Sequence, residues 1–79
     1  MSTLLALPLH QSATVLDLAT PVDLTRRLAA MGLRRGCQVT VLRRASWRGP
    51  LQIRVDSHTE LMLRRIHAAF ITVSAEVAA

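Results

Sequence analysis

Seventy-nine residues, 51% of them hydrophobic, leave room for one small domain and exclude a large multi-part enzyme. All ten basic residues are Arg and only five residues are acidic, so the net charge of +5 favours an acidic partner, be it protein, nucleic acid or membrane surface. A single cysteine, Cys37, excludes an internal disulfide framework and fits a reducing compartment, which places the chain in the cytoplasm.

Leu4 to Leu9 forms a leucine-rich lead-in. It has no positively charged start and is broken by Pro8, so it reads poorly as a signal peptide. No run approaches the ~18 apolar residues of a spanning helix. Ala13–Leu18 reads as a first strand. Thr20-Pro21-Val22-Asp23 then signals a helix start, with Thr20 as cap, Pro21 in the first turn and Asp23 against the positive helix end. The spacing predicts a helix over about residues 21–31, with Leu24, Leu28 and Met31 on one apolar face. Gly32 is placed to close it in the left-handed conformation, with Met31 and Leu33 burying on either side.

Short strands follow. Gln38–Arg44 is one, and Leu51–Asp56 is another, joined by a turn over Ser46-Trp47-Arg48-Gly49-Pro50. Glu60–Arg64 is a third, with Leu61 and Leu63 on one side and Met62 on the other. A turn at Ile66–Ala69 leads to a last strand, Phe70–Val73, and a tail that frays from about residue 75. About five strands with so small a core cannot stay an open sheet. The predicted architecture is mainly β, a small SH3-like barrel with one helix inserted after the first strand, forming a single domain over 1–79.

Catalytic chemistry finds no support: there is no Ser/His/Asp grouping, no glycine-rich phosphate loop and no paired carboxylates, so the chain reads as a non-enzyme. Metal ligands are scattered. His58 and Glu60, two apart on a strand, can share a face and are the candidates for a surface or interface transition metal, while His10, His67 and Cys37 stand alone. No cofactor is required. The arginine pairs Arg34-Arg35, Arg43-Arg44 and Arg64-Arg65 suggest a nucleic-acid footprint. Within strands, however, neighbours face opposite ways, which splits Arg43 from Arg44 and Arg64 from Arg65. The lack of Lys and of an aromatic platform argues further against nucleic acid. Trp47 beside Arg48 in a turn has the composition of an interface anchor.

Three runs carry a family likeness. Leu28-x-x-Met31-Gly32-Leu33-x-x-Gly36-x-x-Val39-x-Val41, then Gly49-Pro50-Leu51-x-Ile53-x-Val55, then Leu61-x-Leu63-Arg64-Arg65-x-x-Ala68-x-x-Ile71-x-Val73 together resemble the FeoA family over about residues 4 to 74. The chain departs from the family's usual pattern at His10, near a common glycine, at His67, where an acid is common, and at Trp47, where a smaller apolar residue is usual. The resemblance implies an SH3-like cytoplasmic accessory protein of ferrous iron uptake. Its partner would be a FeoB-type membrane GTPase transporter, engaged at its cytoplasmic GTP-binding part or its membrane part, with recruitment to the inner membrane face. The expected docking residues are Trp47, Arg48, Met31, Leu33, Arg64 and Arg65, on a chain expected to be a monomer. The competing readings are a small-barrel nucleic-acid-binding protein, suggested by charge and size, and a metal-responsive module, suggested by His58, Glu60, His67 and Cys37.

Overall fold

Alternation of side chains along short strands builds most of the molecule. In the computed structural model, which describes residues 2–45 and 49–74, the strands are β1 (Ser2–Thr3), β2 (Ser12–Leu18), β3 (Gln38–Arg44), β4 (Leu51–Val55), β5 (Thr59–Leu63) and β6 (Ile71–Val73). They join antiparallel in the order β1-β6-β2-β3-β4-β5. Val39, Val41, Leu51, Ile53 and Val55 all bury inward, while Gln52 and Arg54 between them stay half-exposed outside. That period of two is the signature of a sheet with one dry face.

Two bulges curl this sheet. Val15 pairs with Val73 and Asp17 with Thr72, so Leu16 is the extra residue between β2 and β6. Val41 pairs with Ile53 and Arg43 with Gln52, so Leu42 is the extra residue between β3 and β4. Each bulge bends its strand and tightens its twist. β2 pairs with β3 through Ser12–Thr14 and with β6 through Val15–Leu18, so the sheet folds over at its middle. The result is the small, strongly bent β architecture that the sequence predicts, with one helix inserted.

That helix is α1 (Val22–Ala30). Thr20 does not cap it: Pro21, with ψ 147°, is the last extended residue, and the Thr20 hydroxyl meets that of Thr25 at 2.6 Å. The first helical bond runs from Thr25 N–H to the Pro21 carbonyl, 2.8 Å. At the other end Leu33 N–H donates to Leu28 O (2.9 Å) and Gly32 N–H to Ala29 O (3.0 Å), a Schellman closure with Gly32 at φ +97°. Leu28 and Leu33 go into the core, whereas Met31 stays 44% exposed. Met31 is the C-cap, one residue beyond the last helical residue, Ala30, and does not share the burial of Leu28.

The N-terminal lead-in differs most from expectation. β1 pairs with β6 through Ser2↔Val73 and Thr3↔Thr72, and a 3₁₀ turn over Leu4–Ala6 follows. Leu4 and Leu7 are fully buried, so the helix comes after the second strand. The guanidinium of Arg44 ties this segment down, donating to the carbonyls of Leu5 and Leu7. The turn expected at Ile66–Ala69 is a short helix, α2 (Arg65–Ala68), and Phe70 sits exposed just before β6.

Candidate functional site

Outside the core the chain leaves several large apolar side chains in solvent, and two of them stand together. Met62, on the outer face of β5, is 59% exposed, and Ile66, on α2, is 64% exposed. With Pro50, Arg64 and Arg65 they line an open groove of about 770 Å³. A smaller hollow adjoins it, lined by Pro50, Met62, Arg43 and Gln52. The sheet register explains the proximity, because Arg43, Gln52 and Met62 form one cross-strand row over β3, β4 and β5. An apolar floor rimmed by guanidinium groups is the composition of a protein-docking surface: the apolar groups gain by burial, and arginine supplies planar, directional donors.

Arg64 and Arg65 do not split across the sheet as expected. β5 ends at Leu63, so Arg64 and Arg65 belong to the entry of α2, and both line the same groove. Arg43 and Arg44 do split: Arg43 lines the adjoining hollow, and Arg44 turns to the N-terminal carbonyls. Met31 and Leu33 lie elsewhere. A Cβ on Gly32 would stand 3.6 Å from the Val55 side chain, at the far end of β4 from Pro50 and Leu51. Leu33 is fully buried, so it supports that corner from within and offers no surface to a partner. Trp47 and Arg48 lie outside the described residues; the chain on either side of them closes with Ala45 N–H donating to Pro50 O at 3.1 Å. Pro50 and Met62 thus bring the groove to the same hairpin. Sequence reasoning missed Met62 and Ile66 as docking residues. Their signal was legible, since a methionine on the solvent side of a strand and an isoleucine in a turn are both misplaced for burial.

Several other charges are tied into the fold. Arg35 Nε donates to the Leu16 carbonyl at the β2 bulge (3.1 Å), and Arg54 pairs with Glu60 at 3.6 Å. Glu60 also accepts from Gln52 Nε2 at 3.0 Å, and His58 Nδ1 meets the Ser57 hydroxyl at 2.6 Å in the turn between β4 and β5. His58 and Glu60 are therefore engaged with different neighbours. Among the described residues no three His, Cys, Asp or Glu side chains gather as a metal site. Cys37 is buried, and desolvation pushes its thiol above the ordinary value of 9.0. A neutral, buried thiol is a poor nucleophile and a poor metal ligand. Among the described residues no helix is long and apolar enough to cross a membrane.

The fold defines a small SH3-like β domain that carries an open apolar groove. The family model of the FeoA domain matches residues 2–75, and this chain belongs to the FeoA family. Among solved structures, FeoA from Chlorobium tepidum is 34% identical, with a TM-score of 0.84 over 90% of this chain and 67% of that one. FeoA from Stenotrophomonas maltophilia, solved with zinc and described as a procaryotic SH3 domain protein proposed as a ferrous iron transport activating factor, is 31% identical. It superposes with a TM-score of 0.75 over 94% of this chain and 91% of that one. A manganese-dependent transcriptional repressor shares the fold, with 24% identity and a TM-score of 0.78 over 90% of this chain and 39% of that one. Sequence comparison with curated proteins gave no match.

Proposed function

We propose that this chain is a non-enzymatic cytoplasmic accessory protein of ferrous iron uptake that docks on a FeoB-type membrane GTPase transporter. The observation that carries the reading is the arginine-rimmed apolar groove of Met62, Ile66, Arg64 and Arg65 on a member of the FeoA family. Trp47 and Arg48, which lie outside the described residues, precede the groove residue Pro50 in sequence and are expected to contribute to the same interface. Ferrous iron is cargo of the transporter in this scheme and asks for no ligand set on this chain.

Binding to the cytoplasmic GTP-binding part of a FeoB-type protein from the same cell tests the proposal. Trp47→Ala and Ile66→Asp should each weaken binding about tenfold or more while leaving the thermal midpoint nearly unchanged, as for anchors on a surface. Undiminished binding by both variants would move the interface elsewhere. The nucleic-acid reading makes the opposite forecast: affinity for DNA or RNA that collapses as salt rises.

A further inference from the structure

β5 is an edge strand of five residues, and among the described residues it pairs only with β4. The direction of its free backbone groups follows from the ladder. Asp56 N–H donates to Gln38 O at 2.7 Å, continuing the Val39↔Val55 register, so the polar backbone groups of Asp56 and Arg54 face β3 and those of Val55 and Ile53 face β5. The β4–β5 register runs without a shift through Ile53↔Leu61 and Gln52↔Met62. Leu61 therefore bonds back to β4, and the N–H and C=O of Glu60 and Met62 point outward. Natural edges are normally blunted by proline, lysine, a bulge or shortness. β5, with the sequence TELML, carries no proline, lysine or bulge and a single charge, Glu60, whereas the opposite edge, β1, is two residues long.

The edge is also self-complementary. Glu60 and Met62 face outward from β5, and Arg64, still extended before α2, lines the groove beside Met62, so the acid stands toward one end and the base at the other. We propose that a second copy of the chain adds to this edge, β5 against β5 antiparallel about a two-fold axis through Leu61. In that register Glu60 lies opposite the second copy's Met62 and diagonal to the second copy's Arg64, within reach of long side chains, and the two-fold repeats the ion pair. The half-buried Leu61 meets its own mate on the axis, in the closer, non-hydrogen-bonded type of pair. Two five-residue edges bury less than a standard interface, so the dimer is a weak, concentration-dependent one. The inference does not rest on transporter docking, although Met62 and Arg64 also line the groove, and it departs from the expectation of a monomer.

Sedimentation of the full chain over a wide concentration range tests this. The wild type should shift from monomer to dimer as concentration rises. Met62→Pro removes an outward N–H that β4 does not use, a position where an edge strand tolerates proline, and should weaken dimerisation at least tenfold. Glu60→Arg and Arg64→Glu should each weaken it severalfold by placing like charges side by side, and the double variant should return to within about twofold of the wild type. A wild type that stays monomeric at ~1 mM would overturn the proposal. So would a folded Met62→Pro variant that dimerises normally, or a double charge swap that fails to restore association; should Met62→Pro unfold, the charge-swap series alone decides.

Discussion

Gly32 and His10 occupy the same region of backbone space with opposite consequences. Gly32 has φ +97° and a Cβ there would meet only ordinary contact at 3.6 Å, so the cost of a side chain is backbone strain and not a clash. Gly32→Val should lower unfolding stability by about 1 kcal/mol or more, and Gly32→Asn by less, because asparagine tolerates the left-handed region. His10 carries φ 65° with an exposed ring, so His10→Gly should raise stability by about 0.5–1 kcal/mol. Denaturant midpoints of the three variants check both signs. Cys37 gives a pH signature. Its folded thiol holds its proton more tightly than an exposed one, so stability is intact below the ordinary thiol range and falls as pH rises beyond it. With no Lys and no Tyr in the chain, little else titrates there. The alkaline loss should be clear in the wild type and much flatter in Cys37→Ala, read as denaturant midpoints from neutral to strongly alkaline pH.

Elements differed in how openly the sequence announced them. β3, β4 and the helix were legible because several periods of alternation or of helical spacing accumulate over five to nine residues. β1 was not, since two residues hold no period, and its place depends on β6, some seventy residues away. The role of Arg44 was hidden for a related reason. The bulge at Leu42 resets the alternation, and Arg44, now opposite the buried Leu51, reaches the carbonyls of Leu5 and Leu7. Arg44→Ala should leave those carbonyls short of a donor and cost about 1–3 kcal/mol. Hydrogen exchange should show the loss in β1 and its β6 partner residues before it appears in β4. Protection lost uniformly across the sheet would mean that Arg44 holds the whole molecule and not its N-terminal segment.

At the scale of the whole molecule, the candidate surface was half legible. Arg64 and Arg65 were named from sequence, yet the two residues that give them an apolar floor, Met62 and Ile66, come together only because β5 ends at Leu63 and the chain turns at once into α2. Met31 and Leu33 were expected to dock together with them although they belong to a different motif run, and the length of β4 sets them apart. The core consists of apolar side chains, with no buried polar or charged residue among the described ones, and no three His, Cys, Asp or Glu side chains gather among those residues. Adding a chelator should accordingly leave the thermal midpoint where it was, whereas a large fall would promote the histidines and Cys37 to structural ligands.

The central claim is that the groove of Met62, Ile66, Arg64 and Arg65 receives the transporter. Its most direct test is a calorimetric titration of the cytoplasmic GTP-binding part of a FeoB-type protein with the wild type and with Ile66→Asp, at low and at high salt. Binding should be saturable and survive high salt in large part, because the floor is apolar, and it should weaken at least tenfold in Ile66→Asp, a variant as stable as the wild type. Equal affinity of Ile66→Asp and the wild type, or no binding by either, would contradict it.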